Sequence, residues 1–90
     1  MSSRVMDRHD ISRQFAGGGA LAEQILAMDW AASPLGPIEQ WPRPLVDAVA
    51  MLLPAGVEIV LFWGPDYIAL YNDAYAVLAA DRHPRALGRP

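Results

Sequence analysis

The 90-residue chain has no cysteine, no lysine, only two histidines and no apolar run long enough to span a membrane. Without cysteine there is no disulfide and no thiolate metal site, so packing alone must hold the fold, and nothing marks an oxidising compartment. The absence of lysine leaves arginine to carry all seven positive charges, and these form no continuous stripe. With a net charge of −3, a nucleic-acid partner is disfavoured. Gly17-Gly18-Gly19 is followed by no lysine and preceded by no strand pattern, so the triplet reads as a linker and not as a phosphate loop. A membrane span needs about 20 apolar residues, and Met1-Ser2-Ser3-Arg4 leads into polar residues and not into a signal core. The expected location is cytoplasmic.

What is present is an apolar majority. Hydrophobic residues make up 53% of the chain and charged ones 19%, which predicts a packed core. A chain this short buries only about 60 to 65% of its unfolded surface, so one marginal domain is expected. Residues 1–19 mix arginine, aspartate and serine without a clean period before the glycines, and are expected to be flexible, with at most a ragged helix between Val5 and Phe15. Residues 20–56 read as a helical cap region. Leu21, Ile25 and Met28 predict a helix ending near Asp29, and the prolines of Ser33-Pro34-Leu35-Gly36-Pro37 prevent its continuing. Trp30 and Leu35 are expected to tuck inward as anchors. Ile38 to Trp41 is long enough for one turn. Pro42 suits the first residue of a second helix, whose apolar stripe is Leu45, Val49, Leu52 and Leu53, broadened by Val46 and Met51. Arg43 and Asp47 form an exposed i,i+4 pair on it, and Pro54-Ala55-Gly56 stops it.

The most strongly patterned stretch follows. Val57 to Trp63 is short, β-branched and almost continuously apolar, and Tyr67 to Tyr71 is a second strand-length run. Gly64-Pro65-Asp66 between them has turn chemistry. Asn72 then caps a helix over Asp73 to Ala80, with Asp73 at the positive end of its dipole and Tyr75, Val77 and Leu78 available for packing. Asp81-Arg82-His83-Pro84 breaks that helix. The fold class is α+β: N-terminal helices, an antiparallel β-hairpin, then short helices. An isolated hairpin is marginal in water, and a continuously apolar strand suits a place between two neighbours, of which the sequence supplies one. Residues 57–90 are therefore expected to be the front half of a larger sheet domain. The alternative is that the open strand edge pairs with another chain.

Trp30, Ser33-Pro34-Leu35-Gly36-Pro37, Trp41-Pro42, Phe62-Trp63-Gly64-Pro65, Tyr71-Asn72-Asp73-Ala74-Tyr75, His83-Pro84 and Leu87-Gly88-Arg89-Pro90 occur in an order and spacing that resembles the amino-terminal PAS-type sensory region of bacterial sensor histidine kinases. The similarity covers roughly Gly19 to Pro90. It implies a partial PAS-like fold, in which the family's five-stranded antiparallel sheet, with helices packed on one face, begins with Val57 to Trp63 and Tyr67 to Tyr71. It also implies a sensory and signal-transduction role as the input segment of a two-component system, binding a small ligand or relaying signal by dimerisation. The implied partner is a second copy or the rest of a larger sensor chain. The family's last three strands, the phospho-accepting histidine helix and the ATP-binding lobe have no counterpart in the sequence.

Tyr71 and Tyr75, with Trp63, are the candidate lining of a ligand pocket, since a strand-end tyrosine and one on the next helix can share a cavity. Asn72, Gly64, Trp30 and Trp41 read as structural: a cap, a turn and two core indoles. Neither His9 nor His83 has partners for a metal site, and His83 beside proline reads as a turn residue. No pair of carboxylates, and no serine, histidine and acid set, suggests catalysis, so no enzyme activity is expected from these residues. They name no cofactor. Haem- and flavin-binding relatives in the resembled family place their anchoring residue beyond the matched stretch. The rival reading is a free-standing interaction module that docks through the exposed edge of its first strand.

Overall fold

A computed structural model describes residues 7–90. Four α-helices surround one antiparallel hairpin: α1 (Arg8–Gln14), α2 (Gly19–Ala27), α3 (Arg43–Leu52), β1 (Val60–Trp63), β2 (Ile68–Tyr71) and α4 (Asp73–Ala79). Short 3-10 turns at Trp30–Ala32, Ile38–Gln40 and Ala80–Arg82 link them. The fold class is α+β.

Within 1–19, where a flexible segment with at most a ragged helix is expected, the structure places α1 over Arg8–Gln14 and begins α2 at Gly19. Asp7 caps α1 by accepting from the Asp10 amide. Ile11 and Phe15 are fully buried on α3 and on the turn at Ile38–Gln40, and this burial compensates the ordering of a seven-residue helix that would not form alone. Residues 1–6, including Val5, lie outside the described residues. The glycine triplet is likewise no free linker. Gly18 is buried where an added Cβ would lie 2.8 Å from the Leu53 Cβ, so the close approach of α2 to the end of α3 depends on its missing side chain.

On α2, Leu21 and Ile25 face the core, with Met28 partly buried just past its end. Trp30 and Trp41 meet edge to face with centroids 5.0 Å apart, and each indole N–H finds a carbonyl, Ile25 at 2.7 Å and Gly36 at 3.1 Å. Both are core residues. Pro42 is the cap of α3 and not its first residue, and Pro44 occupies the first turn. Leu45, Val46, Val49 and Leu52 form the buried face, while Met51 is 77% exposed because it lies on the opposite side of the helix from Val49. Arg43 pairs with Asp47 at 3.2 Å on the surface. Gln14 of α1 donates to the same carboxylate at 3.0 Å, so this surface pair also ties α1 to α3.

The hairpin register pairs Val60 with Tyr71, Leu61 with Leu70, Phe62 with Ala69 and Trp63 with Ile68. Both strands are shorter than the apolar runs suggest. Tyr67 is drawn into the turn with φ +52, and residues 57–59 are held by Asn72 before the ladder begins. Gly64, at φ +77, provides the left-handed step of the turn. Asn72 fixes the inward face of α4, so residues three, four and seven positions later, Tyr75, Ala76 and Ala79, follow it inward. Val77 and Leu78 are thereby turned to solvent, Val77 at 82% exposure, contrary to the packing role expected for them.

Candidate functional site

Hydrogen bonds at the rim of the hairpin settle which way each backbone group points. The Ala69 N–H donates to the Arg89 carbonyl at 2.9 Å, and the Ala69 carbonyl accepts from the Gly88 N–H at 2.8 Å, so Ala69 faces away from β1. Successive strand residues direct their backbone groups to opposite sides, so Ile68 and Leu70 face β1, where they meet Trp63 and Leu61. Val60 and Phe62 are left facing outward. Among the described residues no hydrogen bond reaches their backbone groups from that side. One edge of the hairpin is therefore closed by the chain itself, and the other is open.

The open edge is apolar and undefended. Val60-Leu61-Phe62-Trp63 contains no charge and no proline, the features that usually discourage strand addition. Phe62 is 54% exposed on it, and exposed Met51 and Val57 lie on the segments flanking it. Between α3 and β1 runs a cleft of about 240 Å³ lined by Ala48, Met51, Leu52, Ile59, Val60 and Leu61.

Behind this edge the structure is anchored by Asn72, which is fully buried. Its Oδ1 accepts from the Ile59 and Tyr75 amides at 3.3 and 3.0 Å, and its Nδ2 donates to the Leu52 and Val57 carbonyls at 3.0 and 2.9 Å. One side chain thus caps α4, closes the end of α3 and sets the entry into β1. Its neighbour Asp73 reaches a different element. The Asp73 carboxylate accepts from the Ala20 and Leu21 amides at 3.1 and 2.7 Å, 53 and 52 residues back, capping α2, which has no capping side chain of its own. Gly19, at φ +72, leaves the space this carboxylate occupies.

Tyr71 and Tyr75 are brought together with ring centroids 5.0 Å apart, but the space between them is filled. Tyr71 is fully buried, its ring also meets His83 at 5.5 Å, and its hydroxyl lies 2.7 Å from His83 Nδ1. With the imidazole proton on Nε2, the phenol donates this bond. Burial, reinforced by Tyr75, raises the Tyr71 pKa above its ordinary value of 10.0, against a smaller opposing effect of the Leu87 backbone. Trp63 does not join the two tyrosines. The register places it on the opposite face of the hairpin from Tyr71, with Leu61, Ile68 and Leu70. Gly64 and the two remaining indoles sit in the turn and the core as described.

Sequence reasoning missed the Tyr71–His83 bond and the Asp73 cap of α2. The second left a local signal: the start of α2 is glycines without a capping side chain, so its amides needed a remote acceptor. Among the described residues there is no cluster of three or more metal-ligating side chains, and no helix is long and apolar enough to cross a membrane. Comparison with protein-family models, with curated proteins and with solved structures finds no match.

Proposed function

We propose that this chain is a PAS-like input segment of a sensor histidine kinase, a non-enzymatic cytoplasmic module that relays signal and whose sheet is completed by a further strand laid on β1. The observation that carries the proposal is the open edge of β1, with exposed Phe62 on it, beside a β2 edge already closed by Gly88 and Arg89. The order of tryptophan, proline and Asn-Asp motifs supports the sensory assignment. Signal relay is favoured over a ligand held between Tyr71 and Tyr75, because those two rings are in contact with each other and Tyr71 also meets His83.

The coding frame tests this reading. In-frame continuation past Pro90 into further strands and a kinase core is the expected result. A stop codon directly after Pro90 with no kinase gene alongside would overturn it. That result would favour the second reading, a free-standing module that docks onto another protein by strand addition, which the uncharged β1 edge and the adjacent apolar cleft equally suit.

A further inference from the structure

We infer that residues 81–89 are a strap under tension: docking on β2 holds Ala80 in a strained conformation, and release lets α4 continue to Arg82. The inference concerns the β2 side of the hairpin and does not depend on what covers β1. Ala80 ends α4 at φ +50 and ψ −113. In this mirror-image region a Cβ is crowded by the backbone, and glycine is the residue that occupies it without steric cost. At Gly17, Gly19, Gly36, Gly64 and Gly88 the chain uses glycine for a positive φ, but here it uses alanine. Tyr67, the other such residue among those described, lies in the hairpin turn.

Contacts further along the chain hold the strain in place. The His83 N–H donates to the Ala80 carbonyl at 3.1 Å, and the Tyr71 hydroxyl lies 2.7 Å from His83 Nδ1. Leu87 is buried, and Gly88 and Arg89 exchange hydrogen bonds with Ala69. Local preference opposes these contacts. Residues 80–82 contain no glycine or proline, alanine and arginine favour a helix, and the Ala80 side chain is exposed, so a helical backbone meets no obstacle there. Pro84 disfavours helical geometry at His83 and so ends the extension at Arg82. The two arrangements exclude each other, because turning the Ala80 φ from +50 to the helical value of about −63 redirects every residue after it. Release therefore takes His83 off Tyr71 and bares the N–H and carbonyl of Ala69 on the side of β2 that is otherwise closed. The strap thus sets whether the sheet is open on one side or on two.

Amide exchange on the intact chain tests the inference. The Gly88 and Ala69 amides, which donate across the strap contact, are expected to exchange together, about tenfold or more faster than the Leu70 amide, which faces β1. Ala80→Gly removes the crowding and weakens the helical extension, so it should slow both strap amides by about tenfold. Ala80→Ile, β-branched at an exposed position, should speed them and move the Cα chemical shifts of residues 80–82 to helical values. Equal rates for Gly88, Ala69 and Leu70 in the parent overturn the inference, since the strap then leaves only when the hairpin unfolds. Strap amides that are unchanged or faster in Ala80→Gly overturn it too. So does an Ala80→Ile chain whose residues 80–82 keep non-helical shifts.

Discussion

Asn72 joins more elements than any other polar side chain described, and its chemistry is two-sided. A carboxylate at this position would retain the cap, since aspartate and asparagine serve equally well as helix N-caps in isolation. It would also face the carbonyls of Leu52 and Val57 with oxygen in place of the Nδ2 donor. Asn72→Asp is therefore expected to destabilise about as much as Asn72→Ala, each by about 3 kcal/mol or more, from a lost cap and buried groups left unpaired. Urea unfolding of both variants against the parent measures this, and a mild Asn72→Asp would show that the cap alone matters. Tyr71 has the opposite character, a buried acid held neutral. Because its folded pKa lies above 10.0, the unfolded chain releases this proton first as pH rises. Its contribution to stability is therefore complete below pH 10 and is lost as pH climbs through the raised folded value. Tyr71→Phe should remove that alkaline loss while leaving other pH dependence in place, as read by denaturation midpoints on either side of pH 10.

At the level of elements, α2 begins under the control of a residue on α4. Asp73→Ala is expected to cost about 1 to 2 kcal/mol by uncapping α2. Gly19→Ala is expected to cost more than its left-handed backbone penalty of about 1 to 2 kcal/mol, because the new Cβ collides with the same carboxylate. In the double variant the collision is gone, so the two costs should sum to less than their separate values, a coupling that a double-mutant cycle by thermal unfolding will register. This pairing shows where sequence reading succeeds and where it stops. The stripe on α3, the Gly64 turn and the Asn72 cap are encoded within a few residues of where they act, so spacing and turn chemistry reveal them. The Asp73 cap spans more than fifty residues: the uncapped glycine start of α2 shows that an acceptor is needed, but local pattern does not say which residue supplies it. Helix α1 was obscured for another reason: only Ile11 and Phe15 of its neighbourhood are fully buried, too few to make a period, although Asp7 is an ordinary N-cap signal. Similarly, Val77 and Leu78 look like packing residues by type, yet their place on α4 is dictated by the inward face that Asn72 sets.

For the whole molecule, the outstanding asymmetry is between the two sides of its hairpin. Gly88 lies against β2 at φ +77, where an added Cβ would approach the Met28 Cε and the rim of the Trp30 ring at 3.0 Å. Trp30 is braced by Trp41 and has no room to retreat. Gly88→Val should therefore lift this segment off β2, with a loss of about 2 kcal/mol or more from backbone strain and disturbed packing. It should also give the chain a second open strand edge, so that light scattering detects large, growing assemblies that the parent does not form. The reason is a matter of valence. A subunit with one reactive side can join one neighbour and is then finished, whereas a subunit with two can be continued indefinitely, as a fibril is. By folding two of its own residues across one side of the sheet, the chain makes itself monovalent, and that limit on growth permits an uncharged, sticky strand to remain exposed on the other side.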